Sequence, residues 1–457
     1  MERRVLVLTY YFPPSGGPGV QRILKFVKYL PAYGWAPDVL TVRDGAYPER
    51  DPSLEADVPA GVGVHRTASW DPYRLYARFT GQAGDDAVVQ GSVEGREADW
   101  KEQLARWVRA NVFLPDARVG WVPFAVARGR RLLAEGDYDA ILTTGPPHST
   151  HLAGSLLQRW TDVPWLADFR DPWTDINYYH ELPHTRWARR LDAALERHVL
   201  RGAQAVTTVS PHWRDLLRSK SDRTDASAFS VIQNGYDEED IPPGPARPTD
   251  EAFEITHVGS LYASRNPVAL WRALRRLADR AAVPDLRIRL VGAVDPNVFA
   301  SLREHGLAPR TEHVSYVPHA EAVRQMRRAG LLLLSIEAFP EATGMMTGKI
   351  YEYLACGRPV LGIGPPDGDA AALLDATSGG TLFGREAVAD VAAFVQSHYD
   401  DWADGTPQSG AAPAAVAPYR RRVQTKHLAD ALRGLLPDGA PAGPAGTTPA
   451  ASRTTTP

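Results

Sequence analysis

The stretch GMMTGKIYEYLACGRPVLGIG, residues 344–364, decides how the chain is read. Thr347 stands where a helix N-cap would stand, and the helix it opens runs to about Cys356. Lys349 and Glu352 share one face of that helix, and Ile350 and Leu354 share another that suits a core. Gly357 and Pro359 then break the helix, and VLGI follows as a buried strand. A helix start has free amides and a positive dipole end. With a glycine at the approach and a lysine in the first turn, it makes a diphosphate site. A carboxylate one turn on, Glu352, can take two hydrogen bonds from a ribose diol. The same spacing also describes an ordinary capped helix with a solvated Lys–Glu pair.

Working outward, the pattern is strand, polar turn, helix, repeated along the chain. RVLVLTYY (4–11) reads as the first strand, despite a faint likeness to a signal peptide, because no small-residue cleavage site follows it. A Gly/Pro turn and a helix over 20–33 come next, then strand 37–42. Strands over 138–144, 164–168 and 204–209 alternate with helices over 149–160 and 186–201, and with one opened by Ser210-Pro211. The acidic, Pro-rich run 237–250 reads as a linker, after which the pattern restarts with strands near 253, 286, 313, 331 and 359. This predicts an α/β chain of two doubly wound, Rossmann-like domains with a ligand cleft between them. The boundaries expected are 1–232 and 233–418, with helix 419–436 crossing back to the first domain. The run 81–98 reads as a mobile loop and 437–457 as a disordered tail.

Composition narrows the function. The chain has 457 residues, 44% hydrophobic and 23% charged, with a net charge of -3, so no basic field for nucleic acid exists. Cys356 is the single cysteine, which excludes a disulfide framework and fits a reducing, cytoplasmic setting. No apolar run approaches the ~20 residues of a membrane span. The acidic pair Asp367 and Asp369 sits in a Pro/Gly loop and reads as a turn; no metal site is expected.

The helix sequence YEYLACGRPVL (351–361) closely resembles the Glu-Ala-Met-Ala-x-Gly-x-Pro-Val helix of the family-4 glycosyltransferases, which have the GT-B fold. VIQNGYD (231–237), HVGSLYASRNP (257–267), YFPPSGGPGVQR (11–22) and DFRDPWTD (168–175) resemble further motifs of that family in the same order. The resemblance implies a retaining, metal-independent transfer of a hexosyl group from a nucleoside diphosphate sugar, UDP-linked by family weight, to an acceptor hydroxyl. No cofactor is implied. Glu352 matches the family's ribose-binding Glu, whereas Gly344 stands where a donor-sugar Glu would be. In the donor loop Ser260 replaces an Arg, and Arg265-Asn266 replaces an Arg-Lys pair, so Lys349 is expected to supply the second cation.

The resulting assignment gives charge stabilisation and catalysis to Arg265, Lys349, His148 and Asp168. Donor binding falls to Gly17, Asn234, Gly259, Ser260, Thr347, Gly348 and Glu352, and acceptor binding to Arg22, Arg170 and Asp171. His148 lies near a helix start, where the dipole lowers imidazole basicity, and the resemblance implies a His near the reacting sugar, a place that His148 or His151 can fill. Arg22, Lys25 and Lys28 are a candidate face for peripheral contact with anionic lipid, of an enzyme acting at the cytoplasmic side of a membrane; a solvated cationic face is the alternative. Two other functions fit the same fold: a sugar-nucleotide epimerase, and a nucleotide-sugar-binding scaffold without catalysis. Oligomeric state is not legible.

Overall fold

The computed structural model describes residues 2–45, 47, 50–70 and 100–437, so the expected loop 81–98 and nearly all of the expected tail lie outside the described residues. The first sheet holds β1 (Arg3–Leu8), β2 (Trp35–Val42), β3 (Val64–Thr67), β4 (Ala140–Gly145), β5 (Trp165–Phe169), β6 (Ala205–Thr208) and β7 (Phe229–Val231). The second holds β8 (Phe253–Val258), β9 (Leu286–Val291), β10 (Thr311–Val314), β11 (Leu331–Ser335), β12 (Val360–Ile363) and β13 (Gly380–Phe383). Every pairing is parallel, in the orders β3-β2-β1-β4-β5-β6-β7 and β10-β9-β8-β11-β12-β13. The architecture is GT-B: two Rossmann-like layers of helix, sheet and helix.

Parallel strands covered on both faces must be apolar on both faces. β1 obeys this: Val5 and Val7 pack with Val20, Leu24 and Val27 of the helix Pro18–Tyr29, while Leu6 and Leu8 face Trp121 and Leu157 on the other side. Strand order reverses between β1 and β4 in one sheet and between β8 and β11 in the other. Loops leaving neighbouring strands at these points diverge and open a crevice at the carboxyl ends. The loops after β1, β4, β8 and β11 therefore form the cleft walls.

The last helix, Arg421–Arg433, buries Leu428, Ala429 and Leu432 in the same core as the first helix. The chain crosses back beside the hinge, where Tyr236 N–H donates to Tyr419 O (3.0 Å) and Arg421 N–H to Tyr236 O (2.7 Å). Gly235 makes this crossing possible: its φ is +71°, and a Cβ there would lie 2.3 Å from Tyr419 O.

The structure corrects one surface reading. Lys25 binds Asp237 (2.7 Å) and Asp57 (2.9 Å), and Lys28 binds Glu239 (2.9 Å) and Asp57 (3.1 Å). With Arg22 buried as well, these three cations pin the first helix to the hinge and present no face to lipid. Sequence alone hid this because the partners lie far along the chain. The short strands β3, β7 and β13 also escaped the sequence reading: at three or four residues they carry too little pattern.

Gly235→Ala should lower the free energy of unfolding by more than ~1 kcal/mol, because left-handed strain adds to a backbone clash. Gly244, at φ +92° with open space around it, serves as the comparison. Urea unfolding of both alanine variants should show the larger loss at position 235.

Candidate functional site

The helix Gly348–Ala355 starts at the end of the loop that follows β11. Thr347 is its N-cap in extended conformation, but no side chain caps it; Thr347 Oγ1 is buried without a hydrogen-bond partner among the described residues. The helix thus opens on amides that no side chain satisfies, which attract an anion.

Lys349 leans from this first turn over Gly259, where a Cβ would lie 2.3 Å from both Cε and Nζ. Gly259 has φ +106°, so the loop after β8 needs glycine twice over: for its backbone and for the lysine. The ammonium makes no ion pair among the described residues. Burial, reinforced by Arg265, pulls its pKa down to about 8, against the weaker pull of Glu352. Arg265 follows Gly259 and Ser260 on the same loop and binds Glu337 at 3.3 Å, while its Nε is buried and unpartnered. Ser264 Oγ donates to the other Glu337 oxygen (3.0 Å), and Ser335 Oγ donates to Arg265 O (2.6 Å). Two neighbouring cations, of which Arg265 alone has a carboxylate partner among the described residues, therefore stand at an uncapped helix start. Asn266 is absent from this group because its Oδ1 accepts from Trp271 Nε1 (2.7 Å).

Glu352 sits one turn on, partly exposed, with burial raising its pKa against the pull of His319 and Arg421. Among the described residues its carboxylate has no ion partner nearer than His319 Nε2, 3.9 Å away. His257, beneath the donor loop, donates through Nδ1 to Leu333 O (3.0 Å), with Nε2 buried and unpartnered among the described residues. Burial and Lys349 hold it neutral, at about 3.

Across the cleft, His148 ends the loop after β4, at the N-cap of the helix Ser149–Thr161. Its ring stacks on Trp173 (5.1 Å between centroids, 7° between planes), whose Nε1 donates to Asp192 (2.8 Å). Both imidazole nitrogens are buried without a partner among the described residues, and burial with His151 drives the pKa well below the usual histidine value. His151 instead meets Thr143 Oγ1 at 2.8 Å under Phe169. Asp171 lies on the same wall; burial raises its pKa, and Arg170 and Arg265 oppose that rise. The influence of Arg265 brings the two walls together here.

Four assignments change, those of Asp168, Arg22, Arg170 and Asn234. Asp168 accepts from Arg22 through both oxygens (2.8 and 3.1 Å), from Thr207 Oγ1 (2.9 Å) and from Thr144 Oγ1 (2.9 Å). Burial alone would raise its pKa, but the Arg22 charge and these bonds hold it low. With all its acceptor sites used, it is a clamp and not a base. Arg22 also donates through Nη1 to Gln233 O (2.9 Å), and Arg170 donates to the carbonyls of Gly145, Gly19 and Pro146. All three nitrogens of each guanidinium are thus engaged within the protein. Asn234 is likewise a bracket, with Nδ2 donating to Met346 O (3.3 Å) and Oδ1 near Arg22 (3.5 Å). Gly17, at φ +85°, shapes the turn into the first helix.

Sequence reasoning did not give Glu337 its role of balancing Arg265, and it missed Arg421, buried with Nη1 unpartnered among the described residues. Burial and Arg22 lower the Arg421 pKa to about 10. It also missed why position 344 is glycine. A Cβ there would lie 2.2 Å from Trp213 of the first domain, and Ser210 Oγ donates to Gly344 O (2.7 Å). His212 adds Glu341 (2.8 Å) to this contact, and its amide donates to Asp369 (2.9 Å). Asp369 thus belongs to a domain contact.

Residues 16–235 match the glycosyl transferase 4-like domain and residues 252–401 the glycosyl transferases group 1 domain. Solved structures share the fold at low identity. Anabaena HepE, in complex with UDP and glucose, is 16% identical with a TM-score of 0.59, over 94% of this chain and 100% of that one. Sucrose-phosphate synthase from Thermosynechococcus elongatus is 17% identical with a TM-score of 0.56, over 95% of each chain. A putative UDP-N-acetylglucosamine 2-epimerase from Listeria monocytogenes is 12% identical with a TM-score of 0.52, over 95% and 96%. No curated protein matches the sequence significantly.

The lowered lysine pKa gives a linkage with a definite sign. Lys349 loses its charge as pH rises through about 8, and a bound diphosphate restores it. Calorimetry of UDP binding near pH 8.5, in buffers of different ionisation enthalpy, should show net proton uptake, and Lys349→Met should abolish it.

Proposed function

Because the chain belongs to the family-4-like, group 1 glycosyltransferases, we propose that it moves a hexosyl group from a UDP-sugar to an acceptor hydroxyl, with retention at the anomeric carbon. The observation that carries this reading is the cation pair Lys349 and Arg265 at an uncapped helix start. The UDP held by the HepE structure supports the choice of nucleotide. Glu352 would take the ribose hydroxyls, and the amides of Gly348 and Lys349 the diphosphate.

The chemistry needs charge stabilisation more than a nucleophile. As the bond from the anomeric carbon to the diphosphate lengthens, negative charge grows on the leaving oxygen. Lys349 and Arg265 neutralise it in a site of low dielectric, where such contacts are strongest. The acceptor oxygen bonds to the anomeric carbon from the face the diphosphate leaves, and its proton passes to the departing phosphate oxygen. No protein base is consumed in that step, which agrees with Asp168 being fully bonded. His148, held neutral with two free ring nitrogens, would hydrogen-bond a sugar hydroxyl, and Asp171 would orient the acceptor. The two cations serve where other sugar transferases use a divalent metal, so the reading requires neither metal nor cofactor. The acceptor class proposed is a hydroxyl of a glycan, a lipid carrier or a natural product.

Lys349→Ala and Arg265→Ala should each lower kcat by about 10²- to 10³-fold, since each removes charge stabilisation of the transition state. A coupled assay of acceptor-dependent UDP release measures this, and product NMR reports the anomer. Wild-type turnover in Lys349→Ala with none in Arg265→Ala would contradict a shared role. UDP release without any acceptor requirement would contradict transfer itself.

A further inference from the structure

His148 lacks the hydrogen bond that ordinarily sets an imidazole's orientation. A working histidine is usually fixed by a bond to one ring nitrogen, which leaves the other for its ligand. His151 follows that pattern, with Nδ1 at Thr143 Oγ1 (2.8 Å). Both nitrogens of His148 are buried and unpartnered among the described residues, so ring contacts and not hydrogen bonds hold it. Phe169 stacks on it at 5.7 Å and 29°, and Trp173 more nearly parallel at 5.1 Å and 7°. An indole can orient a neighbouring ring in this way only if it is itself fixed.

Trp173 is fixed from the helix Arg186–Gly202. That helix turns two buried acids, Asp192 and Glu196, toward the loop after β5; spaced four apart, they share one face. They are held differently. Glu196 has a counter-ion: its Oε2 accepts from Lys220 Nζ (2.7 Å) and from Thr174 Oγ1 (2.7 Å). Asp192 has no ion partner among the described residues. Its Oδ1 accepts from Trp173 Nε1 (2.8 Å), and its Oδ2 is buried without a partner there. Burial pushes its pKa up to about 7, against the pull of that indole bond. A buried carboxylate with one hydrogen bond and no cation is costly to keep. Glu196, through Thr174 and Lys220, already ties the loop to the helix. What Asp192 adds is a grip on the N–H edge of the indole, and so on the plane against which His148 lies.

We propose that Asp192 is a positioning residue: through Trp173 it sets the plane of the His148 imidazole and keeps both ring nitrogens open to the sugar. A neutral imidazole open at both nitrogens offers one donor and one acceptor. The value of this to transfer rests on His148 being the sugar's partner in the proposed reaction. Asp192 touches neither donor nor acceptor, and its effect reaches the reaction only through His148.

A double-mutant cycle tests this, read by acceptor-dependent UDP release. Asp192→Leu keeps the volume and removes the acceptor. It should lower kcat by about tenfold in the parent and by less than about twofold in a His148→Ala background. Trp173→Phe, which stacks but has no N–H, should behave in the same way. Asp192→Asn returns an oxygen to the indole and should recover most of the loss. Equal losses in both backgrounds would mean general damage to the fold and would overturn the proposal. Orientation is read apart from the reaction by NMR of the protein carrying 13C-labelled histidine, with the His148 signals identified by their disappearance in His148→Ala. Stacking on the indole should displace these signals by its ring current. They should move in Asp192→Leu and in Trp173→Phe, and hold in Asp192→Asn. Unmoved signals in Asp192→Leu would overturn the proposal even if kcat falls. Moved signals together with parent turnover in His148→Ala would uphold the positioning and overturn the sugar contact assigned to His148, so the two failures are distinguished.

Discussion

The buried pair of Arg22 and Asp168 holds the architecture of the cleft. One carboxylate gathers donors from the first helix, from Thr144 at the end of β4 and from Thr207 on β6. The guanidinium continues to Gln233 O at the hinge. Three strand ends, a helix and the domain boundary therefore meet at two charged groups, each almost fully buried. Removing either would leave an unpaired buried charge, which costs several kcal/mol. Arg170 repeats the device beside it with three backbone carbonyls. The loops after β1, β4 and β5 are thus set by charge and hydrogen bonds as well as by packing.

Against this satisfied floor, the second domain is short of bonds. Among the described residues, the start of the 348–355 helix has no side-chain cap, Lys349 has no counter-ion, and Arg265 keeps a buried nitrogen unbonded. A folded protein satisfies nearly all buried polar groups, so unsatisfied donors of one sign, converging on a cleft, mark the place of an anionic ligand. The facing wall supplies neutral and acidic groups in His148 and Asp171. That division assigns the anion to the second domain and the hydroxyl-bearing partner to the first.

Much of this was legible in the sequence. Strand–turn–helix periodicity gave both sheets, because buried parallel strands must be continuously apolar, as 331–335 is. The helix carrying Lys349 and Glu352 was legible for the same reason, since spacing along a helix fixes which residues share a face. Pairing across the fold was not legible. Asp168 looked like a candidate base because nothing in DFRDPW reveals that Arg22, 146 positions earlier, would bind both its oxygens. Lys25 and Lys28 looked solvated because Asp57 and Asp237 are remote in sequence. Gly344 looked like a lost carboxylate, whereas the contact with Trp213 leaves it no room for a side chain. Each error has one cause: a charged or small residue takes its meaning from a partner that only tertiary structure supplies.

The account rests on where the diphosphate binds. A crystal structure of the protein soaked with UDP answers this directly. The account predicts phosphate oxygens about 3 Å from Lys349 Nζ and from the amides of Gly348 and Lys349, with the ribose on Glu352. Nucleotide density elsewhere in the cleft, with Lys349 still lying over Gly259 and touching no phosphate, would contradict it.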